Sequence, residues 1–509
     1  MKYPISVTSD GYALRLPRIA TSLAISDVWR FVVRHWGILA ALAITFIVHL
    51  PTLRYFFDGD DFVVLGSIKY SGGKQYLIDT VRMQDIVPNW RPLTAVVYTA
   101  EWKAFGMNAM AWRSVNLGIH LSSLVVMYAL VARVTKRPAI GAIAAMIFGV
   151  SGAHVDTVTY ITALPHVLAT FFLLSSLLAI ISYAQDGERN PAAYWLSFGL
   201  FVLAFLTNEG SFVYAPVIVA AYALFSRRWR SAPLRLAAFA LPFAIVSTGW
   251  FIYYEAFPNP QLKFDGYYWG PHVFTNYGVY LSFIAFPSHA IPGTPDAMRW
   301  AIAGALLAAC AVVLVRGPNI ARLCVGGMML AILPYAPVSI WTASRYTYTA
   351  VAFFAPVAAI AAYALYDWTR RTHRLLRVPA MIVGLLFVAT VAGLYGWQTY
   401  AQDKHSGQNT DRWQLLVNEL KSNYGNVPPG TTIYIVDGPW TNPMEQYTWV
   451  PSVARAIYGD AAAFDLPRNA YLVDPPSTEH ALFLEWTSAG LRPVPAQQVL
   501  APNPSVVAP

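Results

Sequence analysis

Charge is scarce in this chain. Asp, Glu, Lys and Arg make up 12% of its 509 residues, about half the share found in a water-soluble domain, which excludes a soluble globule with a solvated shell. Cysteine is nearly absent. Cys310 and Cys324 are the only two and both lie in apolar runs, which excludes a disulfide framework and a cysteine metal site. No structural repeat recurs, so the chain is neither a solenoid nor a tetratricopeptide array. No cleavable leader stands ahead of the first apolar run. The residues up to Arg34 are mixed and basic, and the run after them reads as a retained anchor.

Apolar sequence is abundant instead. Hydrophobic residues make up 56% of the chain and fall in runs of roughly 17–25, the length that crosses a hydrocarbon core of about 30 Å. Many of the 17 Trp, 30 Tyr and 27 Phe sit at the ends of these runs, as interfacial belts do. The net charge of +9 comes from basic residues in short loops between runs. That pattern sets membrane orientation and does not point to nucleic acid.

Counting runs gives about eleven spans: residues 37–53, 112–134, 139–151, one ending near Tyr183, one ending at Asn208 and Glu209, one ending at Arg227, Arg228 and Arg230, then 236–254, 299–315, 323–340, 348–366 and 378–397. The apolar stretch 277–286 is too short to span and reads as a re-entrant or interfacial helix. Arg15, Arg18, Arg30 and Arg34 precede the first span, so the N-terminus is expected in the cytoplasm. Every loop then counted as internal carries Arg or Lys, among them Arg133, Lys136 and Arg137, the Arg316 and Arg322 pair, and the cluster Arg370, Arg371, Arg374 and Arg377. The expected organisation is a cytoplasmic segment 1–36, a transmembrane domain 37–397 and an extracytoplasmic domain 398–509, in the plasma (inner) membrane. In the last region charges become frequent. Helices are expected at 411–423 and 451–458 and strands at 432–436 and 481–485, a small α/β domain with a Pro-rich extended tail after Leu491.

Five polar constellations fall on the outer side of this topology. The first is Tyr55-Phe56-Phe57-Asp58-Gly59-Asp60-Asp61-Phe62. Neighbouring carboxylates repel, so at least one pKa should rise unless a cation offsets the effect. Such a group is either a general base for a hydroxyl acceptor, a divalent cation site built on Asp60 and Asp61, or a solvated acidic turn. In the second, Asn89-Trp90-Arg91-Pro92-Leu93-Thr94, Arg91 either pairs with the aspartates, grips a phosphate by its planar fork, or is an interfacial arginine. The third carries His154, Asp156, Tyr160 and His166, read as hydrogen-bonded site lining more than metal ligation. In the fourth, Thr207-Asn208-Glu209, Glu209 either faces the site or starts the next helix, where an acid suits the dipole. The fifth is Trp341 to Tyr348. Arg345 there either snorkels to headgroups or meets a lipid phosphate arriving from the bilayer. Few ionisable or polar groups fall near the mid-plane, Asn116 and His120 being the clearest. This favours surface chemistry over a polytopic transporter or flippase of a lipid-linked glycan.

Taken in order, Asp60-Asp61, Arg91-Pro92-Leu93-Thr94, the WRSVNLGIH run from Trp112 to His120, the loop from His154 to His166, Leu206-Thr207-Asn208-Glu209-Gly210 and Arg345-Tyr346-Thr347-Tyr348 resemble the membrane half of the tetratricopeptide-repeat O-mannosyltransferases and their bacterial relatives in the GT-C superfamily. The resemblance covers roughly residues 35–370. It implies an all-α polytopic membrane protein of about eleven transmembrane helices with catalytic outer loops, here with a small C-terminal extracytoplasmic α/β domain in place of the repeats. It implies an inverting hexosyl- or mannosyl-type glycosyltransferase that draws on a polyprenyl-phosphate sugar and passes it to a protein, lipid or glycan acceptor. By the same resemblance Asp60 is the base, Asp61 a supporting acid and Asp58 the fallback, and Arg345 with Tyr346 lies near the carrier phosphate. Arg91, His154, Asp156, His166 and Glu209 complete the expected substrate site. A divalent cation, Mg or Mn, is left open.

Overall fold

The computed structural model describes residues 25–82, 90–256, 267–286, 294–339, 342–371, 378, 379, 382, 397, 410–428, 430–440, 445–459, 462–466, 480–488 and 490–500. Three expectations therefore lie outside the described residues: the basic segment 1–24, most of the eleventh span at 378–397, and the tail 501–509.

Long helices dominate. They are α1 Ile25–His49, α2 Asp60–Ser71, α3 Gly73–Arg82, α4 Pro92–Phe105, α5 Ala109–Thr135, α6 Pro138–Gly149, the single turn α7 Val155–Thr159, α8 Leu164–Gln185, α9 Pro191–Thr207, α10 Tyr214–Phe225, α11 Pro233–Ala256, α12 His272–Ala285, α13 Asp296–Arg316, α14 Asn319–Ile332 and α15 Tyr348–Arg371. Local chemistry starts them where the sequence allows. Proline opens α4, α6 and α9, where a missing N–H is harmless. The side chains of Asn108 and Asn190 accept from Ala111 and Ala192 at the N-termini of α5 and α9, satisfying orphan donors.

Among the described residues, six helices are long and apolar enough to cross a membrane, and four shorter apolar helices accompany them. Together they occupy the ten runs expected from the sequence before residue 378. One boundary differs. The run expected at 323–340 is helical only as Asn319–Ile332, because Pro334 and Pro337 cannot continue the backbone ladder. The chain turns there instead. Residues 277–285 of that segment lie within α12, which is too short to span, and Phe286 caps it. Little of α13 is covered by protein, and Val315 is 73% exposed. Apolar surface of that extent is stable in lipid and not in water, so the chain is a multi-pass membrane protein.

The bundle centres on α5, α6 and α8, against which α1, α9, α10 and α15 pack. Small residues let backbones meet, as in other membrane bundles. A Cβ on Gly149 would fall 2.1 Å from the Thr45 hydroxyl. The basic residues Arg133, Arg137, Arg227, Arg228, Arg230, Arg316, Arg322, Arg370 and Arg371 sit at or beside one set of helix ends. The other ends of α1, α5, α8, α9 and α15 meet beneath α2, α4 and the C-terminal domain.

In that domain a helix at residues 410–423 (α16), β1 Thr432–Val436, α17 Val450–Tyr458, β2 Ala462–Leu466, β3 Ala481–Thr487, β4 Gly490–Pro493 and α18 Ala496–Leu500 surround a sheet of order β2-β1-β3-β4. β1 pairs parallel with both neighbours, Thr432 opposite Ala462 and Ala481. β3 and β4 are antiparallel. Both helices and both strands expected here are present. Two short strands, β2 and β4, were not anticipated. The extended tail expected after Leu491 is corrected, since β4 and α18 occupy its start: Val494 and Val499 find a small apolar core around Phe483. The main core of the domain is shared with the loop after α1 and with α2. Trp413, Leu416 and Val453 pack with Phe57, Phe62 and Leu65 in one buried cluster.

Candidate active site

The aspartate segment follows a 3-10 turn, Leu50–Arg54, at the end of α1. Gly59 adopts φ +50°, which favours glycine, and a Cβ there would meet the Tyr160 hydroxyl at 2.9 Å and the Trp449 ring at 3.0 Å. This turn sends the three carboxylates in different directions.

Asp61 points inward. Its Oδ1 accepts from the backbone N–H of Thr162 at 3.1 Å and its Oδ2 from that of Asp58 at 3.1 Å. Arg113 Nη2 lies 3.9 Å away and is itself spent on the carbonyls of Tyr55 and Phe56. Burial pushes the Asp61 carboxyl up to about 7, against the pull of Arg113. Asp61 thus anchors the aspartate turn to the 160s loop. Asp58 accepts from Trp413 Nε1 at 2.9 Å. Asp60 is half-buried at the first turn of α2. Its N–H donates to the Tyr160 hydroxyl at 2.8 Å and its Oδ1 accepts from Trp449 Nε1 at 3.0 Å. Its Oδ2 has no hydrogen-bond partner among the described residues.

Tyr160 links the two halves of the site. Its hydroxyl holds Asp60, and its ring faces the Arg345 guanidinium, 5.6 Å from the ring centroid. The Tyr346 ring lies 5.5 Å from the same guanidinium, so Arg345 is held by two aromatic faces. Among the described residues no carboxylate is paired with Arg345, although Asp60 is near enough to act on it electrostatically. The 3-10 turn Ser344–Thr347 that carries Arg345 is tied down by Ser344, which donates to Asp156 Oδ2 at 2.5 Å, and by Thr347, which donates to the Ala153 carbonyl at 3.1 Å. Tyr346 stacks on Tyr335 at 4.5 Å and edges onto His166 at 5.7 Å. His166 Nδ1 lies 3.3 Å from the Tyr335 hydroxyl and 3.4 Å from Asn208.

Arg91 reaches Glu209 rather than the aspartates. The pair is bidentate at 2.8 and 2.9 Å. Burial opposes the charge on Arg91, but Glu209 outweighs it and holds the guanidinium above its ordinary range. The alternative in which Arg91 pairs with the aspartate cluster is thereby corrected: Thr94, donating to the Thr207 carbonyl at 2.8 Å, seats α4 against the end of α9, and Glu209 follows directly. The backbone of His154 closes the 3-10 turn Gly152–His154, while its side chain lies outside the described residues.

Sequence reasoning missed Arg113, Trp413, Trp449 and Tyr335. Arg113 was inside the WRSVNLGIH run and stood out as a charge near a span end. Nothing local marked the two tryptophans, which lie 355 and 389 residues from their aspartates.

Both oxygens of Asp61 are taken by N–H groups with a guanidinium behind them, and among the described residues no three His, Cys, Asp or Glu side chains gather as a ligand group. The arrangement brings one carboxylate oxygen and one aromatic-held guanidinium to the two sides of Tyr160. That combination can take a proton from a hydroxyl while a cation faces an anion beside it.

No protein-family model matches the chain, and no curated protein matches it. Among solved structures, the archaeal oligosaccharyltransferase AglB from Archaeoglobus fulgidus, in complex with an inhibitory peptide and a dolichol-phosphate, is similar with a TM-score of 0.49 and 11% identity, over 85% of this chain and 64% of that one. ArnT from Cupriavidus metallidurans bound to undecaprenyl phosphate is similar with a TM-score of 0.49 and 13% identity, over 89% of this chain and 93% of that one. In its apo state ArnT gives a TM-score of 0.48 and 14% identity, over 92% and 94%. The chain spans under two thirds of the length of the archaeal protein and nearly all of ArnT.

Proposed function

We propose that this protein is an inverting membrane glycosyltransferase that moves a sugar from a polyprenyl-phosphate carrier to an acceptor on the extracytoplasmic face. The observation that carries the reading is the Asp60–Tyr160–Arg345 arrangement: among the described residues, one carboxylate oxygen without a hydrogen-bond partner and one guanidinium without a carboxylate partner, joined through a single tyrosine.

The lipid carrier enters from the bilayer with its phosphate at Arg345. Burial between two aromatic rings keeps that charge from a fully hydrated state, and a phosphate meeting it gains more than it would in water. The acceptor hydroxyl approaches Asp60. Its oxygen attacks the anomeric carbon opposite the phosphate, the carbon–oxygen bond to phosphate breaks, and the hydroxyl proton passes to Asp60 Oδ2. The polyprenyl phosphate leaves as an anion beside Arg345. Asp61 and the Arg91–Glu209 pair hold the loops that frame these groups. No step is routed through a divalent cation. The sugar is read as a hexose, mannose first, by resemblance to the O-mannosyltransferases, and the acceptor as protein, lipid or glycan. Mid-membrane chemistry finds little support. His120 is buried and held by the Tyr348 hydroxyl at 2.7 Å and the Gly149 carbonyl at 3.2 Å, as a satisfied core histidine is.

The test is a split between binding and turnover. With purified protein and a panel of polyprenyl-phosphate sugars, Asp60→Asn should bind donor as the wild type does and lose transfer by about 100-fold or more. Arg345→Gln should weaken donor binding by about tenfold or more. An Asp60→Asn protein that transfers at the wild-type rate removes the base assignment.

A further inference from the structure

The carboxylate read as the base is held from outside the membrane domain. Trp449 stands immediately before α17 in the C-terminal domain, 389 residues from Asp60, and its indole N–H reaches Asp60 Oδ1 at 3.0 Å. The placement is enforced from three sides. The Trp449 ring lies 3.0 Å from where a Cβ of Gly59 would be. It meets the buried Trp413 edge-on at 6.3 Å. And α17 lies close along α2, where a Cβ on Gly66 would fall 2.7 Å from the Ser452 carbonyl. A half-buried carboxylate at a helix start otherwise rotates freely about its own bonds. Here one oxygen is pinned and the other has no hydrogen-bond partner among the described residues.

The geometry points to Trp449 as a positioning residue: its N–H fixes the Asp60 carboxylate so that Oδ2 is presented to the acceptor hydroxyl, which makes the C-terminal domain a working part of the active site. This rests on the reading of Asp60 as the base. A general base must lie within hydrogen-bond reach and in line with the proton it takes, and misplacement by about 1 Å costs about 100-fold in rate.

The experiment uses the full-length protein with a polyprenyl-phosphate sugar that the wild type accepts. Trp449→Phe keeps a ring and removes the donor. A second protein carries 3-benzothienylalanine at position 449, in which sulfur replaces the N–H and the shape is retained, so it decides the matter if the phenylalanine variant folds poorly. Both should lower kcat by about 10- to 100-fold, with KM for donor and acceptor and the thermal unfolding temperature unchanged. Retained kcat in the benzothienyl protein overturns the proposal, as does a raised acceptor KM with intact kcat, which would make Trp449 an acceptor contact. Asp60→Asn, assayed alongside, separates the two claims. If it is inactive while the Trp449 proteins are active, the base stands and the positioning role falls. If it is active, the base itself falls.

Discussion

Two buried carboxylates, Asp61 in the site and Glu101 on α4, are not where water would put them, and each has a pH consequence. Burial pushes Glu101 up to about 8 and Asp61 up to about 7, and Glu101 Oε1 has no partner among the described residues. A group whose folded pKa lies above its unfolded one binds its proton more tightly in the fold. Its contribution is full below the unfolded value and is lost as pH rises through the folded one. The protein should therefore lose thermal stability between about pH 5 and pH 9, and Glu101→Gln should flatten the upper part of that slope. Unfolding temperatures measured in detergent across this range check it. A constant difference between the two proteins at every pH contradicts it. At this scale the sequence was informative where residues are neighbours. Asp58, Asp60 and Asp61 were visible as a group, and Arg345 as a charge between apolar runs. Which aspartate turns inward was not visible, because Gly59's backbone and the Thr162 N–H decide it, and they lie in different loops.

Helices and their contacts decide whether those residues meet. The spans were legible because lipid imposes length and polarity on each segment separately. The ends were less so, as with α14, where two prolines stop a run that hydropathy alone would continue. The interface of α2 with α17 was not legible at all, since it joins segments nearly 400 residues apart through the bare backbone at Gly66. Gly66→Val should force these helices apart, at a cost of about 1–3 kcal/mol. The C-terminal domain should then become more sensitive to limited proteolysis, and transfer should fall because α17 follows directly on Trp449. Equal proteolysis of variant and wild type would show that the contact is not needed for docking. The pairing of Arg91 with Glu209 belongs to this scale too. Both were singled out separately, and only the packing of α4 on α9 reveals that each satisfies the other.

For the whole molecule, the basic helix ends lie opposite the aspartates, which is the pattern expected when the site faces away from the cytoplasm. The same architecture accounts for a C-terminal domain that shares its core with the aspartate loop and α2: it closes over Asp58 and Asp60 through Trp413 and Trp449. Because Asp61 is already saturated with donors, a chelator added to the purified protein should leave transfer unchanged. A loss restored by Mg or Mn would show that a cation takes part. The most direct test separates transfer from transport. Proteoliposomes are given a polyprenyl-phosphate sugar labelled with one isotope in the lipid and another in the sugar, with an acceptor fraction outside. The account predicts that the labels part, the sugar appearing in the acceptor and the lipid phosphate staying in the membrane, and that Asp60→Asn stops the parting. Labels that cross the bilayer together and never separate would contradict it.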